Sequence, residues 1–160
     1  MESHLSDLLP VLQELELVFA QLYGDVAVIE GEHNPRLRTA AQVLGRQEKE
    51  HARAFEARIA AIHAQDDPVV PAGRIESARS LLASFRKEVR YRAVGNVDML
   101  VEMAMRFERN NAALLLRLAG EIGQEADPEA VALLLELAGI EREHAAVLQA
   151  FQTERASSAV

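Results

Sequence analysis

Apolar residues recur along this chain at alternating steps of three and four, the spacing that lines one face of an α-helix. The pattern predicts five helices and an all-α fold. The first covers about residues 6–32, with Pro10 tolerable in its opening turn. His33-Asn34-Pro35 interrupts the pattern, and Pro35 suits the first position of a second helix running to about residue 64. Asp66 to Pro71 holds two prolines and reads as a loop. A shorter helix follows over 73–92. Gly95-Asn96 ends it, and Asn96 suits the cap of a helix over 97–123. Asp127-Pro128 reads as cap and first position of a last helix over 128–153. Residues 1–155 form one domain in this reading, and 156–160 a frayed tail.

Each long stripe is broken near its middle by groups that do not belong in a core. The first passes through Leu9, Leu12, Glu16, Phe19, Tyr23 and Val26. The second runs Leu37, Ala41, Leu44, Glu48, His51, Phe55 and Ile62. The third runs Val101, Ala104, Glu108, Asn111, Leu115 and Leu118, and the fourth Leu134, Leu137, Glu141, His144, Leu148 and Phe151. The second and fourth carry one repeated pentapeptide, Glu48-Lys-Glu-His51-Ala and Glu141-Arg-Glu-His144-Ala. Glutamate and histidine three apart share a helix face, while Glu50 and Glu143, two residues on, turn to solvent. Glu16 precedes Glu48 by 32 residues, and Glu108 precedes Glu141 by 33. If each helix pair is antiparallel about its turn, each upstream glutamate sits level with its own Glu-x-x-His, near mid-helix.

Composition narrows the chemistry. With 160 residues, half of them apolar and only 4% aromatic, the chain can bury one core and favours helix over sheet. The net charge of −8 argues against nucleic acid and against anionic membranes. Having no cysteine, the chain has no disulfide, thiolate zinc site, iron–sulfur cluster or rubredoxin-type module. The opening Met-Glu-Ser-His is no signal peptide and no uncharged run spans a bilayer, so a cytoplasmic protein is expected.

Four carboxylates and two imidazoles at one level make a ligand set for two metal ions. Two divalent cations cancel four carboxylates, which would otherwise repel one another in a core. Glutamate can bridge, one oxygen to each metal. Mixed oxygen and nitrogen donors suit iron or manganese, and zinc accepts them. The segments Glu16-Leu-Val-Phe-Ala-Gln-Leu-Tyr23 with Glu48-Lys-Glu-His51, and Met99–Ala119 with Glu141-Arg-Glu-His144, resemble the two halves of a rubrerythrin-type, ferritin-like domain over about residues 5–152. The resemblance implies a four-helix bundle with a long crossover carrying an extra short helix. It also implies a di-iron centre that reacts with dioxygen or peroxide, with Glu16, Glu48, His51, Glu108, Glu141 and His144 as ligands and catalytic groups. Tyr23 and Asn111 are candidate neighbours of that centre. Asn111 stands where many rubrerythrins carry an extra glutamate, and Leu115 where the second half would repeat Tyr23. Electrons would come from Fe(II) or an external donor protein.

The residues leave two other readings open, an iron-storage ferroxidase and a metal-free helical interaction module. A third Glu-x-x-His, Glu30 to His33, reads as capping and surface charge beside a turn. His4 and His63 are expected in solvent. The crossover helix has an apolar stripe, Ile75, Ala78, Leu82, Phe85 and Val89, amid basic residues. A homodimer with this helix at or near the interface is expected, since two-fold dimers are the commonest closed assemblies. The 60 residues between Glu48 and Glu108 argue against a 24-subunit cage of the bacterioferritin kind.

Overall fold

The computed structural model describes residues 3–29, 33–62, 67–92, 97–122 and 127–158. The structure is all-α apart from one two-residue pairing. Its helices are α1 (Leu5–Ile29), α2 (Pro35–Ala61), α3 (Ala72–Arg92), α4 (Val97–Ile122) and α5 (Pro128–Ser158). The chemistry expected at the turns is present. The side chain of Asn34 accepts from Leu37 N at 3.0 Å, with Pro35 first in α2. Asp127 Oδ1 accepts from Ala130 N at 2.9 Å ahead of Pro128. Each cap satisfies an amide that has no partner inside its helix. The expected ends at 30–32, 63–64 and 123 and the Asn96 cap lie outside the described residues.

Two differences from the sequence reading stand out. The expected frayed tail is helical as far as Ser158. Neither glycine nor proline interrupts it, and the Ser157 and Ser158 hydroxyls donate back to Thr153 O and Glu154 O. Ahead of α1, β1 (Ser3–His4) pairs antiparallel with β2 (Val69–Val70), and Leu5 N donates to Pro68 O at 2.9 Å. His4, expected in solvent, is half-buried there, its Nδ1 3.3 Å from Asp67 O. Two residues are too few to show alternation, so nothing in the sequence marks the pairing.

The backbones approach most closely between α1 and α2 and between α4 and α5, and two buried apolar clusters join these pairs to each other above and below the middle of the bundle. Gly45 brings α1 and α2 close. A Cβ there would stand 3.4 Å from both Ala20 O and Tyr23 Cβ. The shorter α3 lies across α1 and α4. Its apolar stripe is spent within the chain. Ile75, Ala78, Leu82 and Phe85 are buried, and the Phe85 ring lies 4.5 Å from both Phe19 and Phe107. Arg86 pairs with Glu14 on α1, and Arg74 with Glu121 on α4. Such solvent-screened pairs add little, so burial of Phe85 does most to seat the helix. Phe85→Ala should cost about 3–5 kcal/mol in urea unfolding; a loss under 1 kcal/mol would mean that α3 is not seated on the core. A second copy of the chain would have to meet other surface than this stripe. Among the described residues, no helix is long and apolar enough to cross a membrane.

Candidate metal centre

The four long helices each carry their polar interruption to one buried place. Glu16 comes from α1, Glu48 and His51 from α2, Glu108 from α4, and Glu141 and His144 from α5. All four carboxylates are 0% exposed, His51 5% and His144 2%. One turn before each glutamate the stripe is apolar: Leu12, Leu44, Ala104 and Leu137 are all buried. Burying a charge costs several kcal/mol unless it is paired or coordinated, so six such groups in one core need a reason.

Their atoms converge. His51 Nδ1 lies 3.5 Å from Glu16 Oε2, 3.2 Å from Glu48 Oε2 and 3.2 Å from Glu141 Oε1. His144 Nδ1 lies 2.7 Å from Glu48 Oε1, 3.7 Å from Glu108 Oε1 and 3.3 Å from Glu141 Oε2. Two tetrads result, Glu16–Glu48–His51–Glu141 and Glu48–Glu108–Glu141–His144, with one donor atom per residue and all four within 4.8 Å of one another. Glu48 and Glu141 belong to both. Each turns one oxygen toward His51 and the other toward His144. The two imidazoles stack at 5.6 Å between centroids and 11° between planes.

The chain matches no family model, no curated protein and no solved structure. The centre's chemistry therefore rests on its own atoms. Both oxygens of Glu48 and of Glu141, Glu16 Oε2, Glu108 Oε2 and both Nδ1 atoms are buried with no hydrogen-bond partner among the described residues. A ring N–H can align with one acceptor, whereas three oxygens around one nitrogen leave the proton badly aligned with all of them. Orphaned donors gathered around two points are the residue chemistry of a site that can hold metal ions, and they fit the ligand set read from the sequence.

Two neighbours steady the outer glutamates. Asn111 Nδ2 donates to Glu16 Oε1 at 3.1 Å, and the Tyr23 hydroxyl donates to Glu108 Oε1. Each donor reaches across from the helix that carries the other outer glutamate. The sequence put both residues beside the site but could not say which carboxylate each holds. Glu50 and Glu143 are exposed, as their helical phase requires. His33 is exposed; Glu30 and His63 lie outside the described residues.

Electrostatics record the strain of this crowding. Burial first, then the Glu141 charge, pushes Glu16 and Glu108 well above the ordinary carboxylate range. Burial also opposes charge on the imidazoles, but the surrounding carboxylates prevail. Glu141, Glu16 and Glu48 push His51 up to about 12, and Glu108, Glu141 and Glu48 push His144 up to about 12. At Glu141 burial is overcome by Glu108 and both imidazoles, and its carboxyl falls below the usual range. Tyr23 is raised by burial and then by the Glu108 charge, so it keeps its proton. Without metal the centre balances its acids with protons.

Proposed function

We propose that this chain is a ferritin-like protein of the rubrerythrin type, a four-helix bundle that holds two iron ions in a Glu4His2 centre. Its proposed activity is reduction of dioxygen or hydrogen peroxide, with electrons from Fe(II) or an external donor. One observation carries the reading: Glu48 and Glu141 each offer one oxygen to the His51 half and one to the His144 half. A pair of metal ions would make use of both oxygens of both residues.

In this reading Glu16, Glu48, His51 and Glu141 would hold one ion and Glu48, Glu108, Glu141 and His144 the other, with Glu48 and Glu141 serving both. The donors are oxygen and imidazole nitrogen, a set that suits iron or manganese and also accepts zinc. When bound, an iron pair supplies the electrons that an O–O bond takes up. The chain does the rest. Asn111 holds the Glu16 oxygen that faces away from His51, as supporting hydrogen bonds do at metal sites, and the Tyr23 hydroxyl donates to Glu108. The apolar turn before each glutamate keeps bulk water out. Reduction of oxygen or peroxide consumes protons, and Tyr23 keeps one at Oη against Glu108.

Anaerobic titration with Fe(II) tests the proposal. The chain should take up two ions, and the loaded protein should then consume dioxygen or peroxide faster than the same Fe(II) free in buffer. A folded chain that binds no Fe(II) or Mn(II) would sink the metal reading. Two bound ions that react no faster than free Fe(II) would sink the oxidoreductase.

A further inference from the structure

We infer that the two halves of the centre are inequivalent and fill in order, the His51 half before the His144 half. The inference rests on the two-metal reading above and goes beyond it, since a bridged pair need not load in steps.

The ligand cages differ in shape. A four-coordinate metal with bonds of ~2.0–2.1 Å sets its ligand atoms ~3.3 Å apart. Around His51 Nδ1 the three carboxylate oxygens lie at 3.2, 3.2 and 3.5 Å, close to that edge length. Around His144 Nδ1 they lie at 2.7, 3.3 and 3.7 Å, so both the nearest and the farthest must move.

The outer glutamates differ in the same sense, atom by atom. Glu16 turns Oε2 to His51, and Asn111 holds the other oxygen, Oε1. The oxygen meant for metal is therefore free while its partner is fixed. Glu108 turns Oε1 to His144, and Oε1 is the atom that accepts the Tyr23 hydroxyl. Its unpartnered oxygen is Oε2. To bind in the second half, Glu108 must either rotate to offer Oε2 or share Oε1 with Tyr23. Asn111 thus prepares its half, and Tyr23 competes for a ligand oxygen in the other. Both are positioning residues here, and the sequence alone marks the asymmetry: Asn111 and Tyr23 have no counterparts at Phe19 and Leu115.

Co(II) titration of the full chain without oxygen tests the order, read by calorimetry and by the visible bands of bound Co(II). Wild type should bind two ions in two steps, the first at least about tenfold tighter. His144→Ala should keep the tight step and lose the weak one, and His51→Ala should do the reverse. Asn111→Leu should weaken the first step by about 10- to 100-fold, the loss that supporting groups at metal sites produce. Tyr23→Phe should leave the first step alone and tighten the second. Two ions binding with one affinity, or His144→Ala removing the tight step, would overturn the order while leaving the two-metal reading intact. A weaker second step in Tyr23→Phe would overturn the competition assigned to its hydroxyl. Binding of no Co(II), with helical content intact by circular dichroism, would overturn the two-metal reading and this inference with it. If either histidine variant fails to fold, Asn111→Leu and Tyr23→Phe still decide, since neither removes a ligand.

Discussion

Glu48→Gln should bring metal binding from two ions to none at micromolar metal, and Glu141→Gln should do the same. Each residue faces both imidazoles, one oxygen to each, so its loss damages both halves at once. Glutamine keeps the volume and one carbonyl oxygen but removes the charge and the second ligand oxygen. The loss should exceed the roughly 10- to 100-fold that removal of a supporting group costs. Glu16→Gln and Glu108→Gln should each cost only one ion, because each belongs to one tetrad. Glu50→Ala should keep both, since that side chain is exposed. Metal content after loading and desalting reads all five variants. If Glu50→Ala lost as much metal as Glu48→Gln, the buried tetrads would not be the binding site.

Metal-free protein should lose stability from mildly acid to alkaline pH, and metal should abolish that loss. Glu16 and Glu108 have folded values raised above the ordinary 4.5. Their contribution is fully present below about 4.5 and is lost as pH rises through the raised values. His51 and His144, pushed from 6.5 to about 12, lose theirs across that whole interval. Glu141 runs the other way: its folded value is depressed, so its contribution is lost as pH falls below about 4.5. The stability maximum of the empty chain should therefore lie near pH 4–5. Metal takes the place of the protons. Binding at pH 7 should release at least two, one from each Nδ1, so affinity should rise with pH. Calorimetry in buffers of different ionisation enthalpy counts them. At a thousandfold excess over Kd, metal adds about 4 kcal/mol for each site, which raises Tm by roughly 10 °C or more in a chain of this size. Equal melting with and without metal, or uptake of protons on binding, would contradict a centre balanced by protons.

Much of this was legible in the sequence because the signals were redundant. Helical spacing named the stripes, and the glutamates and histidines stood out as charges inside them. Asn34-Pro35 and Asp127-Pro128 marked two helix starts by a mechanism that needs no tertiary context. What stayed hidden depends on distance across helices. Periodicity puts Tyr23 on the buried face of α1 but cannot show that its hydroxyl reaches Glu108 on α4. The same holds for Arg58, which pairs with Asp127 and Glu129 and so ties the end of α2 to the start of α5. The clasp of Ser3–His4 on Val69–Val70 is too short to leave a pattern. The stripe on α3 showed that this helix must bury one face, and only the positions of Phe19 and Phe107 show where that face goes.

Burial of the ligands also governs timescale. None of the six donor residues is more than 5% exposed, so no chelator can touch a bound ion while the helices are closed. An ion can leave only when the apolar packing that joins the four helices around the centre opens. Release is then a first-order event whose half-life belongs to the opening of the protein, and raising the chelator concentration does not shorten it. A centre closed in this way holds its ions against competitors of higher affinity by slowness as well as by strength.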